Sequence, residues 1–334
     1  MDHPEYSPPL ALANPHLMTI AAAAWPRLLR SVVARESRRI INVTDQDRVV
    51  VALNRAGAER SRSLAILVHG LEGDARSHYM LGLSGKLIES GIDTARLNLR
   101  NCGGTAHLCR TLYNAGMSED LVVVASTLMA EEGYERIYFH GLSLGGNIVL
   151  KAASELGDTG WLKGVCAVSP SIDLAASVEA LGTGANRIYD LSFVIALKRK
   201  LRKKARLFPE LFDPGKLSRV ITVFDFDETY TAPDGGYDSA EHYYRSASAL
   251  PRMASVKAPV LIITAKDDPL VPYRSFAAPV LDRPNIKVIA TEAGGHGGFL
   301  LGRGEGRPHD KRLKGDRFWA EDQACRFFVN LDLD

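Results

Sequence analysis

The chain has 334 residues, of which 46% are hydrophobic and 24% charged, and its formal net charge is +2. That length and apolar share suffice for one large core and exclude a disordered or fibrous chain. So small a net charge does not imply a nucleic-acid binder.

Residues 1–38 read as an N-terminal segment that packs on the core. Met1-Asp2-His3-Pro4-Glu5 carries no basic stretch ahead of an apolar one, so it does not read as a secretory signal. Residues 10–29 are apolar but contain Pro15, His16, Pro26 and Arg27, which makes them a poor membrane span. Short strands are expected from Arg39 to Thr44 and from Arg48 to Asn54, with Asp45-Gln46-Asp47 turning between them. The run Leu64 to Gly70 is continuously apolar, the mark of a parallel strand buried on both faces. Further strands are expected at Thr94–Leu99, Arg136–His140, Gly164–Ser169, Pro259–Ala265 and Ile286–Thr291. Helices are expected at Tyr79–Ser90, Ser118–Glu131, Gly146–Leu156 and Asp316–Leu331. This alternation predicts an α/β fold: a mostly parallel central sheet flanked by helices. Residues 39–170 and 258–334 form that core. Residues 171–257 have little strand pattern and read as a mainly helical lid inserted above the sheet.

Gly141-Leu142-Ser143-Leu144-Gly145 carries the chemistry. It stands between a strand and a helix, where Gly-x-Ser-x-Gly makes a sharp turn that holds a serine hydroxyl out at the top of a sheet. A hydroxyl needs a base to become a nucleophile, and the base needs an acid to orient it. His296, framed by two glycines on each side, supplies a base with a suitable intrinsic pKa. Asp268, three residues past the strand end at Ala265, supplies the acid, with Asp267 as its rival. The oxyanion of a tetrahedral intermediate requires backbone donors. Those expected are the N–H groups of Leu144 and of Leu71, the latter after His69-Gly70. His69 reads as a structural hydrogen-bonder.

Other clusters are less decisive. Arg100 either lines the pocket or ties its loop to the sheet. Phe224-Asp225-Phe226-Asp227-Glu228-Thr229 lacks the spacing of a calcium loop and reads as structural or pocket-lining. The basic run Lys198 to Arg206 reads first as a solvated helix face, with an anionic membrane surface and then nucleic acid as the functional alternatives. Four scattered cysteines without metal spacing fit reduced thiols and a cytoplasmic setting, possible membrane contact aside. No Gly-x-Gly-x-x-Gly and no phosphate loop is present, so neither cofactor nor metal is expected.

Several stretches together resemble the YheT-like, abhydrolase-domain branch of the α/β-hydrolase superfamily. They are Asn14-Pro15-His16-Leu17-Met18-Thr19-Ile20, His69-Gly70-Leu71-Glu72-Gly73, Leu97 to Gly104, Tyr113-Asn114-Ala115-Gly116, the elbow with Gly146-Asn147, Asp267-Asp268-Pro269 and Gly294 to Phe299. Met18 stands where such relatives often have glutamine. The resemblance implies a serine hydrolase of carboxylic esters, sometimes lipid esters, and carries Ser143, Asp268 and His296 over as its triad. Short- to medium-chain acyl esters are the expected substrates. An acyltransferase or thioesterase would use the same triad, and a non-catalytic binding protein would typically have lost one of its members.

Overall fold

The computed structural model describes residues 6–25, 27, 30–302 and 316–333. Eight strands form one sheet: β1 (Ser37–Asn42), β2 (Arg48–Asn54), β3 (Ser63–Val68), β4 (Asp93–Asn98), β5 (Arg136–Leu142), β6 (Leu162–Val168), β7 (Val260–Ala265) and β8 (Ile286–Thr291). Their spatial order is β1-β2-β4-β3-β5-β6-β7-β8. β2 runs antiparallel to both β1 and β4, and every other pairing is parallel.

The side-chain period of two distributes the strand residues between two cores. Leu64, Ile66 and Val68 pack with Leu121, Val124, Ile148 and Val149 of the helices Ser118–Glu132 and Leu144–Leu156. Ala65 and Leu67 point the other way, onto Met80, Leu83 and Phe328 of the helices His78–Glu89 and Trp319–Leu333. Both faces are covered, which is why these strands are apolar without alternation. The last helix starts at Trp319 rather than Asp316. The Asp316 carboxylate accepts the Phe318 N–H at 2.9 Å just ahead of it, a use of short acidic side chains that favours entry to a helix over its interior.

Between β6 and β7 the chain is helical wherever it is regular. The longest element there is Arg187–Leu207, and Val223–Thr231 runs from α-helix into a π-helical turn. Asn147 of the helix behind the elbow fastens this insertion to the sheet. Its amide donates to the Ala115 and Ala247 carbonyls at 3.1 and 2.8 Å and accepts from Ala249 N–H at 2.8 Å. Among the described residues no helix is long and apolar enough to cross a membrane.

Candidate active site

β5 ends at Leu142 and a helix begins at Leu144, so Ser143 alone makes the turn between them. Its φ of 54° and ψ of −120° are strained for a residue with a side chain. The flanking glycines allow this. A β-carbon at Gly141 would overlap the Gly145 carbonyl, and one at Gly145 would overlap the Val68 carbonyl. At Gly146 it would come within 2.6 Å of Pro170. The helix therefore starts two residues earlier than its glycines suggest. The Leu144 N–H lies in its first turn, where backbone donors have no partner within the helix.

The loop after β3 stands against this turn: a β-carbon on Gly70 would lie 3.3 Å from Ser143 Cβ. His69 fixes that loop. Its Nε2 accepts from Leu99 N–H at 3.1 Å, so Nδ1 carries the proton and donates to the Gly70 carbonyl at 2.8 Å. Burial holds this imidazole down at about 4, and it stays neutral. The peptide is trans, so the Leu71 N–H points opposite to the carbonyl that His69 holds.

Asp268 and His296 meet at the ends of β7 and β8. The His296 Nδ1 lies 2.9 Å and 3.1 Å from the two carboxylate oxygens. Oδ1 also accepts the N–H groups of Leu270 and Val271 at 2.8 and 3.0 Å. The Asp268 side chain is wholly buried. A carboxylate so bound keeps the proton of His296 on Nδ1 and leaves Nε2 free. Asp267 turns elsewhere and accepts Gly295 N–H at 2.9 Å, with its pKa raised mainly by burial. The histidine loop abuts the elbow, because a β-carbon on Gly297 would come within 2.8 Å of Leu142.

Two contacts escaped the sequence reading. The N-terminal helix Pro15–Ala24 is docked on the histidine loop, where Thr19 Oγ1 accepts the His296 N–H at 2.9 Å and donates to the Pro15 carbonyl at 2.7 Å. Gly295, at φ +59°, and Gly298 make room. A β-carbon would sit 2.6 Å from the Pro15 carbonyl at the first and 2.7 Å from Met18 at the second. The glycine frame around His296 thus accommodates a helix as well as freeing the ring. The stretch Asn14 to Ile20 was the available signal, but nothing in it says where the helix docks. The second contact is Lys200, on the inner face of helix Arg187–Leu207. Its ammonium pairs with Glu72 at 2.6 Å and lies 4.2 Å from the centre of the Tyr113 ring. The basic run is therefore not one solvated face: Lys200 and Lys204 turn inward, and Lys204 donates to the Cys109 carbonyl.

Ser143, Leu71 and Leu144 line one recess. Its other walls are mainly apolar, from Leu174, Phe193 and Leu197 of the insertion to Leu112 of the core. Asp227 and Tyr244 form a polar patch on the wall, joined at 2.9 Å, and burial raises Asp227 to about 6. Arg100 is not at this recess. It forks onto Asp120 at 2.7 and 2.6 Å and reaches Asp47 at 2.7 Å, tying its loop to the hairpin of β1 and β2. All four cysteines are buried and unpaired. Among the described residues no group of histidine, cysteine or carboxylate side chains could hold a metal ion.

A parallel sheet with a strained serine at a strand-to-helix elbow and an Asp-His pair on later strands defines an α/β-hydrolase architecture. Residues 65–306 match the alpha/beta hydrolase family, and the chain belongs to that family, in its YheT-like branch. It is 30% identical over 302 residues to YheT of Escherichia coli (strain K12), whose name places it with the esterases, covering 89% of this chain and 88% of that one. It is 26% identical over 278 residues to a monoacylglycerol lipase of Saccharomyces cerevisiae, covering 81% of this chain but only 60% of the relative. Among solved structures, Est1E from Butyrivibrio proteoclasticus with bound ferulic acid has the same fold, with a TM-score of 0.57 at 17% identity, over 89% of this chain and all of that one.

Proposed function

We propose that this chain hydrolyses carboxylic esters through Ser143, His296 and Asp268 by way of an acyl-enzyme. The chain is an enzyme of the esterase and lipase type. One observation carries the assignment of residues: a buried carboxylate holds the Nδ1 side of His296 next to the elbow that presents Ser143. In this reading His296 Nε2 takes the proton of Ser143 Oγ as the oxygen attacks the acyl carbonyl, and Asp268 stabilises the imidazolium. The N–H groups of Leu71 and Leu144 receive the oxyanion. The leaving alcohol takes the proton from His296, which then activates water to release the acid. Residues 171–257 act as a cap, and the apolar recess beneath them takes an acyl chain of short to medium length, lipid esters included.

Ser143→Ala is expected to abolish turnover of short p-nitrophenyl esters while thermal unfolding stays cooperative. A fluorophosphonate should form an adduct at Ser143 in the unmodified chain and none in the variant. Full activity of Ser143→Ala would overturn the reading. Product analysis with an added alcohol separates hydrolysis from acyl transfer.

A further inference from the structure

The helix Arg187–Leu207 divides cleanly into two faces. Its inner face, with Val194, Leu197 and Leu201, is buried. Its outer face is one stripe, because Ile188, Leu191, Ile195, Arg199, Arg202 and Arg206 recur every three or four residues. The first half of the stripe is apolar, with Ile188, Leu191 and Ile195 exposed by 64, 56 and 41%. The second half is cationic, with Arg199, Arg202, Lys203 and Arg206 exposed. Among the described residues none of these four cations has an ion-pair partner.

The apolar half continues onto the N-terminal helix. His16 stacks on Tyr189 with ring centres 5.8 Å apart, and its Nδ1 lies 3.2 Å from the tyrosine hydroxyl. That helix exposes Leu17 and Ile20 by 54 and 50%. Five large aliphatic side chains from two helices thus share one region of the surface. Because Thr19 of the same helix holds His296, this region borders the candidate active site.

Large apolar side chains beside unpaired cations fit an interface that is oily below and anionic above. We infer that this surface docks on an anionic lipid bilayer. The apolar half enters the acyl boundary, the four cations stay among the phosphates, and a lipid ester reaches the recess without crossing open water. The last step rests on the ester-hydrolase reading, whereas the docking does not.

The test therefore uses Ser143→Ala, so that binding is measured without turnover, and vesicles of phosphatidylcholine alone or with about one third phosphatidylglycerol. The chain is expected to float with the anionic vesicles and not with the neutral ones, and to be released by salt. Each cation near an anionic leaflet contributes about fivefold in partitioning. Arg199→Glu, Arg202→Glu and Arg206→Glu combined should lower it at least about a hundredfold. Ile188→Ser with Leu191→Ser should also weaken it. Built into the unmodified chain, both sets of changes should leave thermal unfolding and turnover of a soluble short ester unchanged. Absence of flotation, or flotation unaffected by the charge reversal, would overturn the inference. So would a dimer broken by the serine changes in a chain that ignores vesicles, because the patch would then serve a second copy.

Discussion

The Thr19 hydroxyl sits between two backbone groups, accepting from His296 N–H and donating to Pro15. It touches no reacting atom, so its part is to position. Thr19→Val is expected to lower kcat by about ten- to a hundredfold with KM little changed, since small misplacements of a base are costly. Thr19→Ser, which keeps the hydroxyl, should restore most of it. Loss in Thr19→Ser but not in Thr19→Val would show that the methyl group matters instead. The neighbouring carboxylates should separate just as sharply. Asp268→Asn should cost about 10⁴-fold in kcat, because the amide cannot hold the imidazole in the same tautomer. Asp267→Asn, whose carboxylate faces backbone N–H groups of the histidine loop rather than the His296 ring, should cost less than about tenfold. Asp227 gives a pH signature. Its folded pKa, about 6, lies above the ordinary carboxylate value because of burial. Below the ordinary value both states hold the proton and burial costs nothing. As pH rises to about 6 the unfolded chain loses its proton first, and stability falls. Asp227→Asn should therefore gain in Tm relative to the unmodified chain between about pH 4 and pH 7, measured by thermal melts across that range.

At the scale of elements, the glycines of the elbow are a packing requirement. Gly145→Ala would press a methyl group on the Val68 carbonyl of β3, and urea unfolding should register a loss of about 1–3 kcal/mol. This element also shows what the sequence can and cannot say. Strand positions were legible because covered parallel strands are apolar throughout, and Leu64 to Val68 needs no tertiary knowledge to be read. The start of the following helix was not, because glycine is a weak helix former and its use here depends on the distant Val68 and Pro170. The choice between Asp267 and Asp268 stays open in the sequence for a similar reason: spacing brings both to the strand end, and only the turn at Leu270 and Val271 separates them. The basic run misleads in its own way. Nine residues wrap more than two turns of helix, so they must visit every face, and Lys200 and Lys204 find the interior.

For the molecule as a whole, the insertion between β6 and β7 and the N-terminal helix meet over the carboxyl ends of the strands, where open α/β sheets place their ligands. Composition cannot reveal such a meeting, since neither helix records in its own sequence which helix it crosses. A chain lacking residues 1–25 keeps all eight strands. It should unfold cooperatively with unchanged strand content by circular dichroism, yet react with fluorophosphonate at least about tenfold more slowly. Equal labelling rates would show that the histidine loop holds itself.

Thr19 and His296 stand 277 positions apart. A ribosome delivers the first of them early and the second near the end of its work. Until the closing stretch emerges, the N-terminal helix lacks the loop it docks on, so this contact is among the last that the growing polypeptide can close.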